Sequence, residues 1–195
     1  ITYSFYPVWC DLFRIPYENM PLDEDFCVNV RDYDKPNGGI VLPNPNAPTG
    51  RGVSLVFLED LLQHNQDCVV IIDEAYVDFG AQSAVPLLDK YENLLIVQTT
   101  SKSRSLAGMR IGYALGSETL ISTLEAVKNS SNSYTMDALA LPVGEASLRD
   151  EDYFQQTCRN VSTTPDRPAG ALRAPGFSLL PAPANFPFVT HPNKK

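Results

Sequence analysis

The sequence predicts an α/β fold built on a mainly parallel sheet with helices packed against it. Two observations carry this. Apolar runs of strand length recur along the middle of the chain, and segments with helical periodicity separate them. One run, Cys68-Val69-Val70-Ile71-Ile72, is continuous and mostly β-branched, as expected of a strand buried on both faces. The chain has 195 residues, 44% of them hydrophobic, enough for one full domain and part of a second.

Taken in order, Ile40-Val41-Leu42 is the apolar core of a short first strand, preceded by Gly38-Gly39 and stopped by Pro43-Asn44-Pro45. Ser54 is a candidate N-cap for a helix that carries Phe57, Leu58, Leu61 and Leu62 on one face. Cys68 to Ile72 is the second strand and Leu94-Leu95-Ile96-Val97 the third. Ile111 to Leu115 is a fourth, after which Ser117 opens a helix bearing Leu120, Ile121 and Leu124. The tail differs: seven of the 16 prolines fall between Pro165 and Pro192. Pro168 and Pro175 flank Ala169 to Ala174, a stretch too short for a stable helix alone. An internal proline costs a helix roughly 3 kcal/mol. An irregular tail or a poorly folded remnant of a second domain is expected there. No internal repeat is present.

The formal net charge of −8 gives no electrostatic support for nucleic-acid binding. It does not exclude an anionic small molecule, which a local cluster of donors can hold. No charged-then-apolar leader opens the chain, and no apolar run approaches the roughly 18 residues of a membrane span, so a cytoplasmic location is the expectation. Cys10, Cys27, Cys68 and Cys158 form no CxxC pair, which favours reduced buried thiols over a metal site. Asn129-Ser130-Ser131 and Asn160-Val161-Ser162 match the glycosylation pattern by chance.

Ligands of open α/β sheets bind beyond the carboxyl ends of the strands. Three polar clusters lie there. Asn44-Pro45-Asn46-Ala47-Pro48-Thr49-Gly50 follows the first strand, Asp73-Glu74-Ala75-Tyr76 the second, and Thr99-Thr100-Ser101-Lys102-Ser103 the third, with Arg110 eight residues after Lys102. Separate strands thus deliver an amide, a carboxylate, a phenol, a lysine and an arginine to one rim. Val69 to Glu74 also fits the acidic end of a nucleotide hydrolase strand. That reading needs a G-x-x-x-x-G-K-[ST] loop, which the sequence lacks.

In that order the three clusters resemble fold-type I pyridoxal-5'-phosphate (PLP) aminotransferases, most strongly the histidinol-phosphate aminotransferase family. Ser101-Lys102-Ser103 with Leu106-Ala107-Gly108-Met109-Arg110 is the most specific element. Thr2 to Pro7, Ile15-Pro16-Tyr17, Pro21 to Phe26 and Asn132 to Asp137 are similar to that family too. The resemblance runs from about Thr2 to about Pro192 and weakens after Phe154. It implies a PLP-binding large domain over residues 1–135, its sheet sandwiched by helices. A partial α+β small domain would occupy residues 136–195.

It also implies roles. The Lys102 amine would condense with the cofactor aldehyde and later move a proton between substrate and cofactor. Asp73 would keep the ring nitrogen protonated, and Tyr76 would donate to the cofactor's phenolic oxygen. Arg110 and Ser101 would hold the phosphate, ahead of the weaker candidates Ser103 and Thr99. Tyr3 matches the aromatic that stacks on the ring. Taken singly, each has a plainer reading: a solvated lysine, a helix-capping acid pair, a surface ion pair, an ordinary core tyrosine. Many aminotransferases carry an asparagine immediately before Pro-Thr-Gly. Here that position is Ala47, so the role passes to Asn46, while Asn44 could equally be a turn residue.

The chain opens well inside the family pattern. The upstream glycine-containing loop and the segment that covers the substrate are therefore expected to be missing, as is the arginine that grips the substrate carboxylate. Ala184 to Val189 resembles a strand of the small domain. Arg104 and the prolines at 168, 175 and 187 depart from the usual residues. The expectation is a truncated homodimeric transaminase for histidinol phosphate, with 2-oxoglutarate and glutamate as the second pair, and inactive if the missing parts are essential. A threonine-phosphate decarboxylase-like enzyme and a non-catalytic PLP-fold remnant are the alternatives.

Overall fold

The computed structural model describes residues 1–163 and 176–193. The proline-flanked stretch Ala169 to Ala174 lies outside them. A four-stranded sheet forms the centre, with strands β1 (Gly39–Pro43), β2 (Val69–Asp73), β3 (Leu94–Thr99) and β4 (Gly112–Gly116) side by side in that order. β1 and β2 run parallel, as do β2 and β3. β4 returns antiparallel to β3. The reversal follows from the connections. Helix α2 (Leu55–His64) lies between β1 and β2 and allows a crossover, whereas only the loop 100–111 separates β3 from β4.

Ser54 caps α2 as expected, its hydroxyl accepting from the Phe57 amide at 3.2 Å. Leu58, Leu61 and Leu62 are fully buried against Ile40, Leu42, Val70, Ile72, Leu94 and Ile96, which alternate along one face of the sheet. The opposite face is less covered. Val41 is 45% exposed, Val97 36%, and Ile71 half-buried. The second strand is therefore buried on one face only, a correction to its reading as a strand covered on both. Helix α3 (Glu118–Ser131) starts at Ser117 and lies beside β4 at the sheet edge, with no residue fully buried.

Three helices had no counterpart in the sequence reading. α1 (Phe5–Phe13) precedes the sheet, and α4 (Ala140–Arg149) and α5 (Glu151–Thr163) follow α3. Asp137 starts α4 by accepting from the Leu139 and Ala140 amides at 2.8 and 2.9 Å. Asp150 caps α5 through the Tyr153 amide at 3.2 Å. In the tail, β5 (Ser178–Leu180) and β6 (Phe188–Thr190) pair antiparallel. The expected strand over Ala184 to Val189 is thus displaced. Pro187 has no N–H for a ladder, and pairing starts only after it. This tail packs on the loop after β1. At Gly50, whose φ is +68°, an added Cβ would stand 2.3 Å from Ala182 Cβ.

All four cysteines are free, but only Cys158 is buried and Cys27 is exposed, which corrects their reading as buried thiols. Among the described residues no helix is long and apolar enough to cross a membrane.

Candidate functional site

The parallel register brings the polar clusters to one end of the sheet. Pro43, Asp73 and Val97 are paired neighbours on β1, β2 and β3, so β1 and β2 end at one level and β3 runs two residues further, to Thr99. The Asn44–Gly50 loop, the Asp73–Tyr76 segment and the Thr99–Arg110 loop begin there.

Lys102 lies in the last of these loops. Its side-chain nitrogen sits 5.3 Å from the centroid of the Tyr76 ring, so the amine and the phenol expected to share a site are neighbours. Tyr76 also meets Phe186 edge-on, with ring centroids 5.1 Å apart. Asp73 is half-buried at the end of β2. One carboxylate oxygen accepts from the Ala75 amide at 3.0 Å, a local turn rather than a helix cap, and the other accepts from the Tyr6 hydroxyl at 2.7 Å. Burial, and then the charge of Asp73, push the Tyr6 hydroxyl well above the usual phenol range, so Tyr6 stays a donor. Tyr3 packs edge-on against Tyr6, with ring centroids 5.5 Å apart, and joins the same group from the residue before α1's N-cap, Ser4.

Tyr6, whose hydroxyl reaches Asp73, is the candidate that sequence reasoning missed. The available signal was its spacing. Three residues before Trp9, it shares a helix face with that ring once the segment is recognised as helical, their centroids 6.0 Å apart.

The Ser101 hydroxyl accepts from Thr99 Oγ1 at 2.9 Å, and the Ser101 amide donates to that same oxygen at 3.1 Å. The Thr100 hydroxyl donates to the Ile111 carbonyl, and the single Thr99 O–H can point either to that carbonyl, 3.1 Å away, or to Ser101, which pins the two ends of the Lys102 loop together. Within the loop Ser105 and Arg110 both adopt left-handed backbone, with φ of 56° and 55°. A residue with a side chain pays roughly 1–2 kcal/mol for that conformation. Arg110 is exposed, and its guanidinium donates to the Ala107 carbonyl at 2.9 Å. Among the described residues no hydrogen bond joins it to Ser101 or Lys102.

Asn46 is buried and already engaged. Its oxygen accepts from the Thr2 hydroxyl at 2.9 Å, and its amide donates to the Ile1 carbonyl at 3.1 Å and to Thr49 Oγ1 at 2.9 Å. Asn44 is a brace, donating to the Gln82 carbonyl and accepting from the Val53 amide. Glu74 turns away from Asp73 into the interior. It accepts from the Ser83 hydroxyl, the Ala84 amide and the Gln98 side chain at 2.8, 2.6 and 2.7 Å.

The donor set can serve a phosphorylated aldehyde cofactor. An amine stands beside a phenol. A carboxylate ends the neighbouring strand, the Tyr6 and Tyr3 rings pack beside it, and hydroxyls and a guanidinium lie along one loop. Among the described residues no cluster of three or more histidine, cysteine or acidic side chains could hold a metal ion.

The whole chain, residues 1–195, matches the family model described as aminotransferase class I and II. It is 53% identical over 195 residues to a histidinol-phosphate aminotransferase of Dechloromonas aromatica, covering 100% of this chain and 55% of that protein. The chain thus spans about half the length of the curated relatives it matches. The fold resembles that of the Sinorhizobium meliloti histidinol-phosphate aminotransferase in complex with pyridoxal-5'-phosphate, with a TM-score of 0.83, 22% identity, and coverage of 96% of this chain and 52% of that one. It also resembles the L-threonine-O-3-phosphate decarboxylase of Porphyromonas gingivalis, with a TM-score of 0.76, 21% identity, and coverage of 94% and 55%.

Proposed function

The chain belongs to the class I and II aminotransferase family, and we propose that it forms the PLP-binding part of a histidinol-phosphate aminotransferase. The reaction would transfer an amino group between histidinol phosphate and 2-oxoglutarate, with glutamate as the partner product, in histidine biosynthesis. One observation carries the reading. The Lys102 amine stands 5.3 Å from the Tyr76 ring, on the loop that follows the strand next to Asp73.

The bound cofactor would supply an electron sink for the carbanion left when a substrate α-carbon loses its proton. The chain's own groups do the rest. Asp73 would partner the ring nitrogen, where its negative charge would favour the protonated ring. Tyr6 and the Ala75 amide hold that carboxylate in one orientation. Tyr76 offers a hydroxyl to the phenolic oxygen, and Tyr3 a ring face. Ser101 and Arg110 are the phosphate donors, Arg110 once its guanidinium swings from the Ala107 carbonyl. The Lys102 amine anchors the cofactor and carries the proton. Asn46 would have to give up a local hydrogen bond to reach the cofactor, so its part is to hold the Thr49 turn as well. A homodimer, a cytoplasmic location and a boundary after Thr135 complete the proposal. Tyr134, at 94% exposure beyond the end of α3, supports the boundary.

The test is optical. The chain mixed with PLP should develop the visible absorbance band of a lysine-linked cofactor, and Lys102→Ala should lose it. A band that survives the substitution removes Lys102 from the role. Adding histidinol phosphate and 2-oxoglutarate should then produce glutamate. Release of carbon dioxide from threonine phosphate would favour the decarboxylase, and a band without any turnover would mark a binding remnant.

A further inference from the structure

Arg104 stands two residues after Lys102 and reaches α4 and α5. Its side chain is only 11% exposed. The guanidinium carbon lies 3.8 Å from the centre of the Phe154 ring in α5. One terminal nitrogen donates to the Ser147 carbonyl in the last turn of α4, and the other is 3.7 Å from the Glu151 carboxylate at the start of α5. The last carbonyls of a helix lack partners and carry partial negative charge. Arg104 therefore caps α4 from 43 residues away while stacking on the helix that follows. Lysine could not replace it, because an ammonium has neither the flat face nor the fork of donors.

Neighbouring contacts close a ring around the same loop. The Ser103 hydroxyl donates to Asp78 in the 3-10 turn Val77–Phe79, directly after Tyr76. The Ser162 hydroxyl of α5 donates to the Phe79 carbonyl at 3.3 Å. α4 also packs on the far end of the loop: at Gly144 an added Cβ would come within 2.8 Å of Ile111. Loop, turn and helix pair thus share their anchors, with Lys102 between them.

We propose that Arg104 is a positioning residue for Lys102, tying the loop that carries the amine to the corner between α4 and α5. This inference rests on the role of Lys102 proposed above. The docking of the helix pair sets where the amine points, so the C-terminal helices govern the Lys102 loop.

Hydrogen exchange on the full chain without PLP reads this directly. Arg104→Ala should raise amide exchange of residues 101–106 by about tenfold or more, as loss of charge-assisted hydrogen bonds predicts, with β2 and β3 unchanged. Arg104→Lys should restore little of the protection. With PLP bound, the same variants should shift the midpoint of the absorbance band's pH titration, which a purely structural residue would leave in place. If Arg104→Ala does not fold, Phe154→Leu keeps the arginine, removes the stack and should raise the same exchange. Unchanged loop exchange in a folded variant overturns the proposal, as does an increase spread evenly over the sheet. If the wild-type chain never develops the PLP band, the cofactor reading fails, while the exchange data still decide whether Arg104 holds the loop.

Discussion

Glu74 shows how much one residue's surroundings can change its behaviour. It follows Asp73 directly, yet it is 1% exposed and faces the interior. Burial raises its pKa above the ordinary 4.5, outweighing the hydrogen bonds from Ala84, Gln98 and Ser83 that favour its charged form. The folded state therefore holds the proton more tightly than the unfolded chain. Glu74's contribution to stability is greatest below about pH 4.5 and declines as pH rises from there through the raised folded value. Glu74→Gln should flatten this part of the stability curve, measured as urea midpoints from pH 4 to 7. The swap is tolerable because the Gln98 amide can turn over, with the Tyr113 hydroxyl, now 2.7 Å from Gln98 Oε1, accepting instead of donating. A variant whose midpoints fall with pH as steeply as the wild type would locate the dependence elsewhere. The site was legible to a similar depth. Lys102, Asp73 and Tyr76 could be proposed from sequence because they lie at or just after strand ends, and the structure places Lys102 beside Tyr76. Tyr6 was hidden because its role depends on a helix not foreseen, and the burial of Glu74 because nothing local distinguishes it from Asp73.

At the scale of elements, apolar runs located β1, β2 and β3, and serine caps located α2 and α3. α1 escaped because its apolar residues surround the axis and Pro7 reads as a breaker. Pro7 lies at the third helical position, where an N–H would have had no partner. Its C-terminal end carries a second irregularity. Arg14 takes a left-handed conformation, φ 55°, so that its own amide reaches Asp11 and the Ile15 amide reaches the Cys10 carbonyl at 2.8 Å. Glycine is the natural residue for that position. Arg14→Gly should stabilise the chain by about 1 kcal/mol, seen as a higher urea midpoint with an unchanged slope. No gain would mean that the arginine side chain makes a compensating contact in solution. Ser105 and Arg110 share this backbone conformation in the Lys102 loop, where the strain lies in the proposed cofactor segment instead of a helix end.

At the scale of the molecule, the two faces of the sheet are unequal. Val70 is fully buried under α2, whereas Val41 is 45% and Val97 36% exposed on the other side. The sequence could not reveal this, since strands with apolar residues on both faces are ordinarily covered on both. α1 adds to the open apolar surface, with Leu12 at 70% and Phe13 at 69% exposure. One substitution made on each face measures the asymmetry. Valine to threonine keeps the shape and the β-branch and adds a hydroxyl. At Val70 that hydroxyl is removed from water and should cost about 1–3 kcal/mol. At Val41 or Val97 it remains hydrated, and the change should stay within about 0.5 kcal/mol. Urea unfolding at several protein concentrations compares the three. If Val41→Thr proves as costly as Val70→Thr, and more so at high concentration, a second copy covers that face in solution. If it is costly at every concentration alike, the cover comes from within the chain.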